Sequence, residues 1–206
     1  MFKTINKDVS SEIVEKKSKF IANIYYVESV EDAEEKIKEV KKTYFDARHN
    51  CYAFSIYTKD GIINRFSDDG EPSGTAGAPM LNILNSKGLT NILVIVTRYF
   101  GGILLGTGGL VRAYTGATQE ALNKIVEIEK DIGLETKIEV SYSDFEKFKY
   151  YLKQNEIKLL NSEYSENIVS IIEITEEKLD KIKINRNELN FKILSMNILR
   201  EKYIEI

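Results

Sequence analysis

The stretch VTRYFGGILLGTGGLVRAY, residues 96–114, holds five glycines between two arginines, Arg98 and Arg112. Glycine lets backbone N–H groups approach an anion closely, and a guanidinium group binds phosphate or carboxylate through two parallel hydrogen bonds. Since the chain has 23 lysines and only six arginines, two arginines beside one loop favour anion recognition. The predicted anion-binding or nucleic-acid-binding residues are Arg98, Tyr99, Phe100, Gly101, Gly102, Gly106, Thr107, Gly108, Gly109 and Arg112.

Neither of the common nucleotide-binding loops fits this stretch. Gly101 and Gly106 match the glycine spacing of a Walker A loop, but Thr107 and Gly108 stand where its Lys and Ser/Thr belong. The dinucleotide fingerprint fails at Val111, where Gly or Ala is required. A structural alternative remains, in which the glycines let a helix pack closely on a sheet and the arginines pair with nearby carboxylates.

Those carboxylates lie in the acidic loop SDDGEPSGTAG, residues 67–77. Asp68, Asp69 and Glu71 could bind Mg²⁺ or serve as general acid and base, or they could cap helices and neutralise the arginines. They are the candidate catalytic residues of an alternative function, a hydrolase-like enzyme. Ser73 and Thr75 of the same loop are further cleft candidates.

The segment ARHNCYAF adds His49 and Asn50 to the cleft candidates. His49 and Cys51 would face the same side of a strand, so a Cys-His pair is geometrically possible. Nothing nearby in the sequence marks the thiol as activated, which favours a buried structural cysteine. One His and one Cys cannot build a structural zinc site, and we expect neither a metal nor a cofactor.

The elements that carry these loops follow from the spacing of apolar residues. Alternation predicts paired strands at 10–17 and 19–27, and a 3.6-residue period predicts a helix at 30–42, capped by Ser29 with Asp32. The remaining predicted elements of this half are strands at 50–57 and 62–66, a helix at 78–86, a strand at 91–96 and a helix at 108–124.

The second half reads as strand, helix, strand, strand, helix, strand, which is the ferredoxin-like order. Asp144 and Thr175 are the predicted N-caps of its helices. Gly133 stands alone between a helical and a strand pattern, where a helix stop or interdomain hinge is expected. We therefore predict an α+β protein with domains at residues 1–132 and 133–206.

The totals limit the class of function. With a net charge of −3, the chain lacks the basic excess that drives non-specific duplex binding, so any nucleic-acid contact must be local. A single cysteine excludes an internal disulfide framework. No apolar run approaches the length of a membrane span or of a secretory signal, so we expect a cytoplasmic protein without membrane contact.

Together the segments HNCYAF, SDDGEPSGTAGAP and GLTNILVIVTRYFGGILLGTGGLVRAY resemble the YigZ/IMPACT family, in its bacterial form with a ferredoxin-like tail. The resemblance implies an N-terminal two-layer α/β domain similar to a ribosomal protein domain, with a left-handed βαβ unit. It implies a C-terminal βαββαβ domain similar to that of elongation factor G. Eukaryotic relatives regulate translation by binding the large activator of an initiation-factor kinase, but they carry a different second domain.

The residues favour a non-catalytic binding protein whose Gly/Arg cleft receives an anionic group. The resemblance implies an association with translation, so RNA or the ribosome is the expected partner. Tyr99, Phe100 and Tyr114 would offer stacking surfaces to unpaired bases unless they are core residues. The enzyme with Asp68, Asp69 or Glu71, and pure docking to a protein partner in translation control, remain the alternatives. The sequence leaves the oligomeric state open.

Overall fold

Ten strands and five helices account for most of the chain, and the computed structural model describes all 206 residues. In chain order they are β1 (Phe2–Ile5), β2 (Val9–Glu15), β3 (Ser18–Tyr26), α1 (Val30–Thr43), β4 (His49–Thr58), β5 (Gly61–Ser67), α2 (Gly77–Ser86), β6 (Ile92–Tyr99), α3 (Gly106–Leu122), β7 (Glu127–Val140), α4 (Tyr142–Gln154), β8 (Lys158–Tyr164), β9 (Ile168–Thr175), α5 (Glu176–Ile184) and β10 (Ile193–Glu205). The predicted α+β class is confirmed.

The chain divides into two units, residues 2–129 and residues 130–206, with Met1 grouped with the second. The division falls inside β7, three residues before the predicted boundary at 132 and 133. Gly133 is not a helix stop, since it lies within β7 and pairs with Thr175 and Lys202. A Cβ atom at this position would overlap the side chain of Ile204, so close packing accounts for the glycine.

The first unit is built on an antiparallel sheet in the order β2-β3-β6-β4-β5. Its central strands are apolar on both faces. Val94 and Val96 pack with α2 and α3, whereas Leu93 and Ile95 pack with α1. The predicted two-layer arrangement therefore missed a layer, because helices cover both faces of the sheet.

Helix α1 connects β3 to β4, which run parallel to each other on either side of β6. Its start follows the predicted cap, since the Ser29 hydroxyl accepts a hydrogen bond from the Asp32 N–H at 3.0 Å. The left-handed sense of this βαβ unit stays a prediction.

The second unit has the strand order β10-β7-β9-β8, which is the 4-1-3-2 order of the ferredoxin-like fold, with α4 and α5 supplying the helices. The predicted cap at Thr175 is confirmed, since its hydroxyl accepts from the Lys178 N–H. The predicted cap at Asp144 is wrong, because α4 begins earlier, with Ser141 as its N-cap, and Asp144 lies in the first turn.

One end of the first sheet brings the candidate loops together. Strand β3 starts at Ser18, β4 starts at His49 and β6 ends at Tyr99, and both Phe20 and His49 pair with Arg98. The β2–β3 turn, the loop before β4 and the glycine loop after β6 therefore leave the sheet at the same end. We refer to this region as the sheet end.

Candidate functional site

Arg98 is buried and paired with the acidic loop. Its Nη1 donates to Oε1 of Glu71 at 2.7 Å, and the two side chains are 7% and 3% exposed. The guanidinium carbon lies 5.5 Å from the ring centre of Phe20 and 5.6 Å from that of Phe100, within range of a cation–π contact. The structural alternative thus describes Arg98 well, since its guanidinium is enclosed and committed to a carboxylate of the same unit.

The ion pair continues into a buried polar chain. The Tyr114 hydroxyl donates to the same Glu71 oxygen at 2.9 Å, and the Cys51 thiol donates to Tyr114 at 3.3 Å and to the Asp68 carbonyl at 3.0 Å. Burial raises the pKa of Cys51 to about 12 and raises the pKa of Tyr114 as well. The thiol is therefore protonated at neutral pH, and Tyr114 is a core residue with no face free for stacking.

Asp68 holds the start of α2. Its Oδ1 accepts from the N–H groups of Ala76 and Gly77 at 3.0 and 2.8 Å, and its Oδ2 accepts from Gly74 at 2.8 Å. A carboxylate that accepts several backbone N–H groups near a helix N-terminus compensates the donors left without intrahelical partners. These contacts give Asp68 a structural function.

Asp69 fastens the acidic loop to the first residues of β4. Its Oδ2 accepts from the Asn50 N–H at 2.7 Å, its Oδ1 accepts from Lys41 at 2.6 Å, and its carbonyl oxygen lies 3.0 Å from Nδ1 of His49. The Asn50 side chain is buried and accepts from the Thr97 hydroxyl at 2.7 Å. His49 and Asn50 thus lie against the acidic loop, and the contacts they make there are within the protein.

The rest of the acidic loop offers little to a ligand. The hydroxyl of Thr75 is turned inward and donates to the Pro72 carbonyl at 2.6 Å, whereas Ser73 is exposed and makes no hydrogen bond. Asp68, Asp69 and Glu71 each engage different partners. No group of three His, Cys, Asp or Glu side chains is positioned to hold a metal ion.

The glycine loop begins with a close backbone contact. The Gly101 N–H donates to the Ser18 hydroxyl at 3.1 Å, and a Cβ atom on Gly101 would overlap the backbone of Lys17. The amide of Gly101 is therefore already occupied. Gly102 and Gly106 have φ angles of 84° and 69°, which favour glycine.

Beyond Gly101 the loop is open to solvent. Phe100 and Leu104 are 52% and 83% exposed, and Ile103 is also exposed. Large apolar side chains standing together at a loop tip are typical of a contact surface rather than of a simple connection.

Helix α3 starts without a cap. No side chain bonds to its first N–H groups, and its first turn holds no acidic residue. Thr107 and Gly108 are exposed there, while Gly109 is partly covered by Leu105. Arg112, in the second turn, is exposed, and its side chain makes no hydrogen bond or ion pair. Of the two arginines that bracket the glycines, Arg112 is the one that solvent reaches.

The sequence analysis missed two further segments of the sheet end. Lys16 and Lys17 form the two-residue turn between β2 and β3, with φ angles of 45° and 66°, and both are exposed without a partner. The loop before β4 exposes Arg48, also unpartnered, and Phe45, which is 85% exposed. The prediction extended the first strand through Lys16 and Lys17 to residue 17, whereas β2 ends at Glu15 and the two lysines form the turn.

Tyr99 closes the sheet end on the α1 side. Its hydroxyl donates to Asp46 at 2.7 Å, and this hydrogen bond raises the pKa of Tyr99 to about 12. Lys19 lies over the ring at 5.6 Å from its centre. Tyr99 is therefore held by its neighbours on the α1 face of the sheet, opposite Arg98.

We define the cationic surface as the exposed cations and apolar side chains of the sheet end: Lys16, Lys17, Phe45, Arg48, Phe100, Ile103, Leu104 and Arg112. Its four cations face solvent without a carboxylate partner, although the chain as a whole is acidic. None of the five helices in the structure is long and apolar enough to cross a lipid bilayer.

Both halves of the chain match known protein families. The family described as the Impact N-terminal domain matches residues 16–122, and a family described as a domain of unknown function, DUF1949, matches residues 138–184. IMPACT family member YvyE of Bacillus subtilis is 40% identical over 80% of this chain and 76% of its own length. IMPACT family member YigZ of Escherichia coli is 41% identical over 72% of this chain and 74% of its own length.

A solved structure titled only as that of a hypothetical protein extends this likeness across both units. It is 33% identical, covers 96% of either chain and has a TM-score of 0.66. The fold, the matched domains and the relatives agree with the resemblance carried by the HNCYAF, SDDGEPSGTAGAP and glycine-loop segments. The chain therefore belongs to the IMPACT family.

Proposed function

We propose that this protein is a non-catalytic, cytoplasmic, translation-associated binding protein that holds single-stranded RNA on the cationic surface. The association with translation rests on the family, whose eukaryotic members regulate translation. The observation that carries the RNA proposal is the gathering of four unpartnered cations and two exposed phenylalanines at one end of a sheet, in a chain with a net charge of −3.

Phosphates would be held by Arg48, Arg112, Lys16 and Lys17, assisted by the uncapped start of α3. Guanidinium groups suit phosphate because they donate two hydrogen bonds in one plane, and a free helix N-terminus adds backbone donors. Arg98 was the first candidate for this role in the sequence, but its pairing with Glu71 moves the role to Arg112.

Bases would stack on Phe100 and Phe45, whose rings are exposed, in place of the enclosed Tyr114. Aromatic rings are accessible to bases only where the strand is unpaired, so this surface suits single-stranded RNA better than a duplex. The apolar side chains of Ile103 and Leu104 extend the same contact.

The hydrolase alternative gains no support from the geometry. Asp68 accepts three backbone N–H groups, Asp69 is bonded to Lys41 and Asn50, and Glu71 is buried against Arg98. A general base needs a carboxylate within reach of a substrate proton, and these carboxylates are already engaged by the protein.

The test is RNA binding measured by fluorescence anisotropy over a series of salt concentrations, with an unstructured oligouridylate of about 12 nucleotides, within the range of known single-strand sites. The variant Arg48→Gln/Arg112→Gln should reduce the slope of log K against log salt by about 1.4, since each phosphate contact on a single strand contributes about 0.7. Phe100→Ala should weaken binding by about 1–3 kcal/mol through lost stacking.

The matched control is Arg65→Gln, which removes an exposed arginine on β5 that is paired with Glu34 at 3.0 Å. This variant should keep the slope of the unmodified protein. Equal slopes for the unmodified protein, Arg48→Gln/Arg112→Gln and Arg65→Gln would refute the proposal. Capture of a protein partner that survives ribonuclease and is lost in Arg48→Gln/Arg112→Gln would also count against RNA as the ligand.

A further inference from the structure

Strand β5 is an edge strand with an unusually open side. It pairs only with β4, and its burial pattern shows six of its seven residues exposed. Ile62 and Phe66 are 56% and 49% exposed and lie on the α2 face of the sheet, while Ile63 is exposed on the α1 face. The strand thus offers free backbone donors and acceptors together with uncovered apolar side chains.

Edge strands normally carry a device that blocks further pairing, such as a bulge, a proline or a charged side chain. The edge strands of the second unit, β8 and β10, both have register shifts. β5 pairs with β4 in continuous register, has no proline, and bears a single charged residue, Arg65, which Glu34 neutralises. Its edge remains competent to accept another strand.

About Asn64, the two outer pairs of β5 match in residue type, since Gly61 and Ser67 are small and Ile62 and Phe66 are apolar, whereas Ile63 and Arg65 differ. If a second β5 paired antiparallel across a twofold axis at Asn64, Ile62 would lie opposite Phe66 twice and the two Asn64 amides would face each other. Arg65 would lie opposite Ile63, so no like charges would be directly opposed. Self-pairing in this register places apolar side chains opposite apolar side chains on the α2 face without opposing like charges, which favours a second copy of this chain as the added strand.

We propose that β5 is a homodimerisation edge, on which a second copy of this chain adds its own β5 antiparallel with the twofold axis at Asn64. Such an interface is isologous, which is the commonest arrangement of homodimers. The contact is one strand about 23 Å long at about 3.3 Å per residue. We expect a contact of this length to bury less than the roughly 800 Å² per partner of a standard interface, so the dimer should be weak, reversible and dependent on concentration.

Disulfide trapping on the full chain tests both the dimer and its register. Asn64→Cys places two thiols across the axis with Cα atoms about 4.5–5.5 Å apart, which suits a disulfide. Ile62→Cys is the matched control on the same face, because its two copies would be four residues apart, about 13 Å, and out of reach. The native Cys51 is buried and should not contribute.

We expect Asn64→Cys to form a covalent dimer under mild oxidation at least about tenfold faster than Ile62→Cys, while a mixture of Ile62→Cys and Phe66→Cys gives a crosslinked heterodimer. Sedimentation of the unmodified protein should show a concentration-dependent dimer. The variant Ile62→Lys/Phe66→Lys should abolish this dimer, whereas Val14→Lys, at an exposed apolar position on β2, should preserve it. A monomer at all concentrations, or equal crosslinking of Asn64→Cys and Ile62→Cys, would overturn the proposal.

Discussion

The buried pair of Arg98 and Glu71 allows a quantitative test of how the acidic loop is held to the sheet. Arg98→Met keeps an apolar stem between Phe20 and Phe100 but leaves the Glu71 carboxylate buried without its cation. Glu71→Leu likewise leaves the Arg98 guanidinium buried without its carboxylate. Because an uncompensated buried charge is expensive, we expect each single variant to lower the free energy of unfolding by about 3–5 kcal/mol.

The double variant Arg98→Met/Glu71→Leu should be less destabilised than either single variant. It removes both charges together, and its main remaining cost is the hydroxyl of Tyr114, which loses its acceptor and contributes about 1–3 kcal/mol. The coupling between the two positions should therefore be at least about 3 kcal/mol.

The assay is urea unfolding followed by tyrosine fluorescence and far-ultraviolet circular dichroism, since the chain has 12 tyrosines and no tryptophan. The free energies of the four proteins form a double-mutant cycle, which isolates the coupling from the loss of packing. Single variants that cost less than about 1 kcal/mol, or costs that add without coupling, would refute the reasoning, because both results require a solvated pair.

Three further predictions concern the same unit. The pKa of Cys51 is raised from 9.0 to about 12, so its protonated thiol contributes stability that is complete below pH 9 and is lost as the pH rises towards 12. In urea unfolding at several pH values, the free energy of unfolding should fall by up to about 1.4 kcal/mol per pH unit in this range, and Cys51→Ala should reduce the fall. Gly101→Ala should lower the free energy of unfolding by about 1–3 kcal/mol because the new Cβ overlaps the Lys17 backbone; in the same assay Gly108→Ala, where the nearest atom would be a flexible side chain at 3.6 Å, should be neutral or stabilising. Asp68→Ala should cost about 2 kcal/mol or more in thermal or urea unfolding, since three backbone N–H groups lose their acceptor, and Asp68→Asn should recover part of the loss.

The sequence predicted the order of the helices and most strands well because apolar periodicity reflects burial directly. It missed β1, whose four residues are too few to show a period, and it expected the strand pattern only after Gly133 although β7 starts at Glu127. The second helical layer was missed because a continuous apolar run such as 92–96 indicates that both faces of a strand are buried but does not show which elements cover each face.

The candidate site shows a similar limit. The sequence placed Arg98 near the acidic loop and offered both a free and a paired guanidinium, but only the register of Arg98 with His49 and Phe20 brings it against Glu71. Arg48 and the two turn lysines gave no signal, since isolated charges have no period. Their grouping depends on strands that are distant in the chain ending at the same edge of the sheet.

The Lys16–Lys17 turn has a consequence for how this protein balances folding against function. Both lysines occupy left-handed backbone positions, where a residue other than glycine or asparagine costs about 1–2 kcal/mol. A two-residue hairpin of this kind is normally built from Asn-Gly, which would relieve the strain and delete two cations at once. If the proposed function holds, the chain keeps this strained turn because the two lysines bind RNA phosphate. Selection for thermostability alone should therefore replace Lys16 and Lys17, and the resulting variant should bind RNA less tightly.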